Sequence, residues 1–290
     1  MMRIDAHQHF WRLADRAGAW PGPALTQIHH DFLPQQLMPL LQQHGIDATV
    51  LVQTLPNLED TGFMLALAAR HPFIAAVVGW ADLKAEDAPE RISALAAHPK
   101  LKGLRPMLQD LPEHDWIADA ALGPAVAAML DHHLSVDALV LTHHLPALLI
   151  FAQRFPQMPI VIDHAAKPPI ASAELRSWKR HIASLAALPQ VHCKLSGLVT
   201  EAAAQWQTAD LQPYVDHVLE RFGAGRVLWG SDWPVLNLAA DYGRWLETCD
   251  VLLAGMSEHE KRQIFALNAQ RFYRIETISS CETSVIQINQ

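Results

Sequence analysis

The stretch MRIDAHQHF, residues 2–10, carries two histidines spaced two residues apart near the start of the sequence. Side chains two residues apart in a β-strand point to the same face, so a strand over residues 3–9 would hold the Cα atoms of His7 and His9 about 6.6 Å apart. Two imidazoles so placed can reach one metal ion or one carbonyl oxygen. The alternative is a pair of solvated histidines at a strand end, because short motifs also match by chance.

Seven further apolar runs resemble strands, and longer amphipathic stretches separate them. Alternating strands and helices are typical of a parallel sheet, and eight such units predict a closed (β/α)8 TIM-type barrel. The length of 290 residues suits one such domain, which usually needs about 250 residues. We predict a barrel over residues 1–274 and a polar tail over 275–290. The strands are predicted at 3–9, 48–54, 73–80, 101–106, 134–140, 159–164, 191–197 and 226–232.

The predicted helices connect these strands, and several end at a proline, where a helix must stop. They cover residues 33–44, 60–71, 86–98, 118–133, 145–155, 172–188, 210–222 and 257–273. The segment 10–34 fits neither pattern. A loop of this length in a compact domain is usually functional, so we expect it to form a lid or a wall of a pocket.

Composition limits the function classes. The formal net charge of -8 argues against nucleic-acid binding, and no apolar run is long enough for a membrane span. The residues near the start do not resemble a signal peptide, so we expect a soluble cytoplasmic protein that binds small molecules. Cys193, Cys249 and Cys281 are odd in number and far apart, which favours reduced thiols. The sequence leaves the oligomeric state open, and a homo-oligomer is one of its options.

Active sites of (β/α)8 barrels lie at the carboxyl ends of the strands, and two strand ends carry ionisable pairs or acids. The sixth strand ends in Asp163-His164, and the eighth reaches Asp232 two residues after Gly230. A carboxylate at the rim can bind a metal or take a proton from water. The alternatives are a loop-capping role for Asp163, a buried structural role for His164, and a helix cap at Asp232.

Three other strands contribute polar groups. Arg105 follows the fourth strand and suits hydroxyl or lactone oxygens, unless it pairs with a surface acid such as Asp110. Gln53 ends the second strand and could donate a hydrogen bond. Alternation in the seventh strand turns Lys194 into the barrel, where it needs either a substrate oxygen or a carboxylate such as Asp137.

Six blocks of the sequence together resemble the amidohydrolase-related (amidohydrolase 2) family, and within it the sugar-acid lactonases. The likeness runs in order from residue 2 to about 273. The blocks are IDAHQHF (4–10), LKGLRP (101–106), VIDHAAKP (161–168), CKLSGLVTEA (193–202), WGSDWP (229–234) and NAQRFY (268–273).

The resemblance implies a (β/α)8 barrel and hydrolysis of a sugar lactone. It assigns His7, His9 and His164 to the metal or electrophile site, Asp232 to the general base, and Arg105 to substrate binding. It implies one divalent ion, zinc by preference, with metal-free hydrolysis as the alternative. Because Lys194 stands where a second histidine site would be needed, a binuclear centre is not expected.

The substrate is expected to be a small sugar lactone, and a further group of side chains is expected to hold its hydroxyls. These are Gln53, Lys194, Trp233 and His29, beside Arg105. Two rivals remain open from the sequence. One is a metal-dependent decarboxylase of a small carboxylic acid on the same barrel, and the other is a sugar-acid binding protein without catalysis.

Overall fold

A computed structural model describes residues 2–276, and it contains eight parallel strands in one sheet. Consecutive strands pair in chain order from the first to the eighth, with helices between them. The (β/α)8 barrel predicted from the sequence is therefore confirmed, and every predicted strand is present. The strands are β1 Ile4–Gln8, β2 Ala48–Val52, β3 Ile74–Gly79, β4 Leu101–Leu104, β5 Ser135–Ala138, β6 Ile160–Ile162, β7 Val191–Leu195 and β8 Val227–Trp229.

Ten α-helical segments surround the strands in the described part of the chain. They are α1 Pro34–His44, α2 Leu58–Arg70, α3 Ala88–Ala96, α4 Gly123–Asp131, α5 Leu145–Arg154, α6 Arg176–Ala186, α7 Thr208–Phe222, α8 Tyr242–Leu252, α9 Glu258–Arg262 and α10 Asn268–Phe272. A π-helical turn joins α9 to α10, so the helix predicted over 257–273 is interrupted. The sequence prediction placed no helix at α8, although Asp241 caps it by accepting a hydrogen bond from the Arg244 N–H.

Two predicted helices begin too early. The one predicted from residue 118 begins at Gly123, because Pro124 fits the first turn of a helix and short 3-10 turns precede it. The one predicted from residue 172 begins at Arg176, because Ala173 has a φ of +56° and ends a separate 3-10 turn. The other helix boundaries agree with the prediction to within about three residues, the usual uncertainty of such assignments.

Alternation along the strands produces two separate hydrophobic clusters. One set of strand side chains, including Leu51 and Cys193, packs against the helices. The opposite set, including Val50 and Leu228, packs inside the barrel, where Tyr273 also lies. The barrel interior is thus filled by side chains rather than hollow. Of the predicted tail, residues 277–290 lie outside the described residues, and Ile275 is buried.

The seam between the first and last strands is closed near their carboxyl ends. The His9 N–H donates a hydrogen bond to the carbonyl of Trp233 at 2.8 Å, and the Asp232 N–H donates to the carbonyl of His7 at 2.8 Å. Deeper in the seam, the buried carboxylate of Asp5 accepts from the Ser231 N–H at 2.8 Å. These contacts join the two ends of the sheet and fix the position of the residues that follow β8.

Candidate active site

The carboxyl ends of β1, β6 and β8 bring three imidazoles and one carboxylate to a single point. His7 lies in β1 and His9 directly follows it, and their side chains meet as their spacing predicts, with the Nε2 atoms 3.2 Å apart. Asp232 Oδ1 lies 3.2 Å from His9 Nε2 and 3.7 Å from His7 Nε2. His164 Nε2 lies 3.8 Å from the same oxygen. All four side chains are buried.

An unusual backbone presents two of these groups. Residues 164–167 all have positive φ angles, between +46° and +62°, and Asp232 has a φ of +60°. The left-handed conformation costs a residue with a Cβ roughly 1–2 kcal/mol, so it persists only where the surrounding structure enforces it. Such strain is commonly concentrated at functional sites. Here it turns the ring of His164 and the carboxylate of Asp232 toward β1.

The ligand atoms of His7, His9 and Asp232 all lie within 4.8 Å of one another and could hold one metal ion. Ligands about 2.0–2.1 Å from a tetrahedral zinc ion lie about 3.3 Å from one another. The separations within this group are 3.2, 3.2 and 3.7 Å, while His164 Nε2 lies 3.8 Å from Asp232 Oδ1 and groups with His7 and Asp163 instead. His9 supports the same conclusion, because its Nδ1–H donates to the carbonyl of Val52 at 2.7 Å and its Nε2 lone pair therefore faces the Asp232 carboxylate. A cation between them would relieve this repulsion.

The other ring nitrogens of the cluster also have partners beneath the site. His164 Nδ1 lies 2.9 Å from the Ser196 hydroxyl. His7 Nδ1 lies 3.4 Å from Asp163 Oδ1 and 3.1 Å from Lys194 Nζ. If Asp163 accepts the Nδ1 proton, the Nε2 lone pair of His7 is free for a metal. If Lys194 donates to Nδ1, Nε2 carries a proton that can polarise a carbonyl oxygen.

Lys194 lies inside the barrel, and its partners are carboxylates. Its ammonium is 2.6 Å from Asp137 Oδ2 and 2.9 Å from Asp163 Oδ1. The Tyr273 hydroxyl donates to Asp137 at 2.6 Å from the opposite side. The pairing with Asp137 considered from the sequence is present. Lys194 therefore lies below the site and pairs with two carboxylates. The predicted contact between Lys194 and substrate stays a prediction.

Arg105 reaches the site but is held by several partners. Its NH1 group lies 3.1 Å from Asp163 Oδ2 and 3.4 Å from His7 Nε2, and its NH2 group donates to the carbonyl of Gln53. Gln53 Nε2 in turn donates to the carbonyl of Arg105 at 2.7 Å. The buried Nε of Arg105 has no partner within the described residues. Arg105 thus pairs with Asp163 rather than with Asp110, and Gln53 orients it.

A cavity of about 320 Å³ opens above the cluster. It has the volume of a small-ligand pocket, at the lower end of the usual range of about 300–1,000 Å³. His9, His164, Asp232 and Arg105 form its polar floor. Its walls include Trp20, Met107, Leu139, Lys167 and Val235. The long segment 10–34 contributes Trp20 to the wall, in agreement with the role predicted for that segment.

Of the five predicted substrate residues only Arg105 lines this cavity, while Gln53, Lys194, Trp233 and His29 do not. Trp233 is buried against Phe32, with ring centroids 5.1 Å apart. His29 Nδ1 lies 2.9 Å from the carbonyl of Pro21. Conversely, the sequence analysis did not select Trp20 or Lys167. Lys167 lies three residues after His164 in the block VIDHAAKP, but the left-handed turn that brings it to the cavity has no signal in the sequence.

The environment of the cluster shifts its protonation. Burial lowers the pKa of His164 to about 4, although Asp232 and Asp163 oppose the shift. Burial and the Lys194 ammonium lower the pKa of His7 well below its ordinary value. Burial alone would raise the pKa of Asp232, but the neighbouring histidines outweigh it and lower that pKa. At neutral pH the rings of His7 and His164 are therefore neutral and the Asp232 carboxylate is ionised.

A second group of histidines, His114, His143 and His144, gathers at the same end of the barrel. The Leu141 N–H donates to His144 Nδ1 at 3.0 Å, so the buried Nε2 of His144 carries the ring proton and cannot ligate a metal in this state. His143 and His144 begin a helical turn before α5, which agrees with the helix-end role predicted for them.

Comparison with known proteins identifies the family. A profile of the family described as amidohydrolase matches residues 4–275. The chain belongs to this family. Two amidohydrolase relatives are named L-fucono-1,5-lactonase. The one from Burkholderia ambifaria is 54% identical over 94% of this chain and 96% of its own length, and the one from Burkholderia multivorans is 36% identical over 94% and 96%. A crystal structure of a Burkholderia multivorans amidohydrolase with bound zinc is also similar, at 36% identity and a TM-score of 0.89, covering 95% of this chain and 100% of that one.

In the described residues, no helix has the length and apolar character needed to cross a membrane. Cys193 and Cys249 are both buried free thiols, in agreement with the prediction of reduced cysteines. Cys281 lies outside the described residues.

Proposed function

We propose that this amidohydrolase opens the lactone ring of a sugar acid, with L-fucono-1,5-lactone as the first candidate substrate, and releases the aldonate. The observation that carries the proposal is the convergence of His7, His9, His164 and Asp232 under a cavity of about 320 Å³. The names of the two Burkholderia relatives support the choice of substrate. A cavity of this volume suits a single sugar ring.

Asp232 acts as the general base in this proposal. Its carboxylate is ionised, lines the cavity and lies where a water molecule can approach a bound lactone. Asp232 takes one proton from the water as the water oxygen forms a bond to the lactone carbonyl carbon. The tetrahedral intermediate then collapses, the bond between that carbon and the ring oxygen breaks, and the proton passes from Asp232 to the departing oxygen. The products are a hydroxyl and a carboxylic acid on one chain, and the acid releases its proton to solvent and becomes a carboxylate.

His7 and His164 stabilise the negative charge that develops on the carbonyl oxygen. His164 faces the cavity and His7 is buried beside it, whereas His9 donates its Nδ1–H to the carbonyl of Val52 and so offers no donor to the oxygen. Fixed donors aimed at such an oxygen commonly supply about 3–4 kcal/mol of transition-state stabilisation each. Asp163 and Ser196 hold the rings of His7 and His164 through Nδ1 and so preserve their orientation.

We further propose that the site holds one zinc ion. His7, His9 and Asp232 would bind it, because their ligand atoms lie within 4.8 Å of one another and three protein ligands are usual for a catalytic zinc ion. His164, whose Nε2 lies 3.8 Å from Asp232 Oδ1, is the fourth candidate ligand. When bound, the ion would supply Lewis acidity toward the carbonyl oxygen or toward water. The zinc in the related Burkholderia multivorans structure supports this choice of metal.

A panel of sugar lactones, followed by proton release with a pH indicator, tests the reaction. We expect turnover of L-fucono-1,5-lactone, and Asp232→Asn should lower kcat by about 10²–10⁴-fold because the general base is lost. Asp250→Asn is the matched control, since Asp250 is exposed on α8. A folded Asp232→Asn protein with full activity would refute the role of Asp232. Release of CO₂ from an acid would instead indicate the decarboxylase, and ligand binding without turnover would indicate a binding protein.

The metal is tested separately. Metal content is measured before and after dialysis against a chelator, and activity is followed during titration with Zn²⁺. We expect about one zinc ion per chain, lost in parallel with activity. Full activity in protein that contains less than about a tenth of an equivalent of any divalent metal would contradict the zinc proposal and favour hydrolysis by the histidine donors alone.

A further inference from the structure

The left-handed turn after β6 carries two side chains that line the cavity, His164 and Lys167. The Lys167 N–H donates to the carbonyl of His164 at 2.8 Å, so residues 164–167 form a single tight turn. Residues three apart in a turn with three residues per turn lie on the same side. His164 and Lys167 accordingly both line the cavity, and the small side chains of Ala165 and Ala166 point into buried space.

Lys167 differs from the other two cations near the cluster. Lys194 is fully buried and contacts two carboxylates, while Arg105 is bound to Asp163 and to a backbone carbonyl. Lys167 has a partly exposed ammonium, 4.0 Å from the carboxylate of Glu201. A pair of this kind at a partly exposed position is weak. The ammonium of Lys167 can therefore turn toward a ligand in the cavity at little cost.

The charge of the reactants indicates what that ammonium would bind. A lactone is neutral, whereas its hydrolysis product carries a carboxylate formed from the attacked carbonyl. The protein has a formal net charge of -8, and Asp232 on the cavity floor is also negative, so a carboxylate in this cavity needs a local cation. Lys167 stands on the same turn as His164, beside the place where the carbonyl must lie.

We propose that Lys167 binds the carboxylate end of the sugar acid in this cavity, and that Glu201 restrains its ammonium when the cavity is free. The inference rests on the proposed lactone hydrolysis for the identity of the acid. Lys167 is thereby a binding residue that discriminates the charged product from a neutral sugar of the same shape. Glu201 is a positioning residue, because it acts on the ligand through Lys167.

Binding calorimetry of L-fuconate and of the neutral sugar L-fucose tests this inference without requiring turnover. A charge-assisted hydrogen bond predicts that Lys167→Met weakens L-fuconate binding about tenfold to a hundredfold and changes L-fucose binding less than about twofold. Lys167→Arg should restore most of the difference. Lys261→Met on α9 is the control, because α9 packs beside the turn before β8, at the opposite end of the barrel.

Glu201→Gln gives a result in the opposite direction. Removing the competing carboxylate should tighten L-fuconate binding by up to about fivefold, and the change should vanish in the Lys167→Met background. In the unchanged protein, the dissociation constant for L-fuconate should rise with salt while that for L-fucose stays constant. This salt dependence keeps the inference testable even if the Lys167 variants do not fold.

Three outcomes would overturn the inference. The first is an equal loss of L-fuconate and L-fucose binding in Lys167→Met, which would mean that the residue only shapes the cavity. The second is no loss of either. The third is that the unchanged protein does not bind L-fuconate. Failure to hydrolyse L-fucono-1,5-lactone, with Lys167-dependent L-fuconate binding intact, would overturn the proposed function alone.

Discussion

Replacement of Gly197 by alanine should lower the activity of the site by displacing the imidazole ring of His164. Gly197 follows β7 with a φ of +62°, and a Cβ atom at this position would lie 2.5 Å from His164 Nδ1, 2.7 Å from Cγ and 3.0 Å from Cβ. Ordinary carbon contacts are about 3.5–4.0 Å, so the imidazole must move by about 1 Å. That movement would break the 2.9 Å contact between His164 Nδ1 and the Ser196 hydroxyl.

The size of the effect has two components. An alanine in the left-handed region costs roughly 1–2 kcal/mol of stability wherever it occurs. A displacement of about 1 Å in a group that must face the reacting carbonyl can cost about 10²-fold in rate. Gly45→Ala separates the two, because Gly45 has a φ of +64° after α1 and a Cβ there would contact nothing within 4 Å.

Both variants are compared by lactone hydrolysis, by chemical unfolding and by zinc content. We expect similar losses of stability from the backbone in the two variants, with a loss of about 10²-fold in kcat/KM and weaker zinc retention confined to Gly197→Ala. If folded Gly197→Ala keeps kcat/KM within about threefold of the original protein, His164 does not have the positional role assigned to it. An equal activity loss in Gly45→Ala would assign the effect to general destabilisation.

Three further results are expected. Lys194→Met should cost about 3–5 kcal/mol in urea unfolding, because it leaves Asp137 buried without its cation and Asp163 with Arg105 alone; an unchanged midpoint would contradict this. Burial and the neighbouring His143 lower the pKa of His144 to about 4 in the folded state. On acidification His144 is therefore protonated in the unfolded chain before it is protonated in the folded one, and the free energy of unfolding falls as pH drops from about 6.5 toward 4. His144→Gln keeps an acceptor for the amide of Leu141, and its stability should vary less over that range. Zinc at about 100 times its dissociation constant should stabilise the protein by about 2.7 kcal/mol, and Asp232→Ala should abolish the gain.

Six strands, β2 to β4 and β6 to β8, were predictable because each is a short apolar run that follows a helix-ending proline or glycine. The helix α8 was missed even though Trp245, Cys249 and Leu252 are spaced to face the barrel, since its C-cap residue is Leu253 rather than a glycine. The early start assigned to α4 has a similar cause. Apolar periodicity continues through the 3-10 turns before Gly123, and periodicity alone does not distinguish these from an α-helix.

The core of the site was also predictable, because alternation along β1 and the position of strand ends fix which side chains meet. Alternation in β7 likewise turned Lys194 inward, but the sequence could not choose between a carboxylate and a substrate as its partner. The position of Lys167 at the cavity depends on four successive residues in the left-handed conformation. Because residues with a Cβ seldom adopt that conformation, nothing in local propensity indicates such a turn.

The seam between β1 and β8 makes the site the last part of the fold to be completed. Asp232 and His9 are 223 residues apart in the chain, and they meet only when the eighth strand docks against the first. Contacts of such separation carry the largest loop-closure entropy and generally form late in folding. We therefore expect turnover to return after dilution from denaturant more slowly than helical circular dichroism. The recovery of activity then reports the rate at which the barrel closes. Equal rates of recovery for turnover and helical circular dichroism would show that the first and last strands meet early.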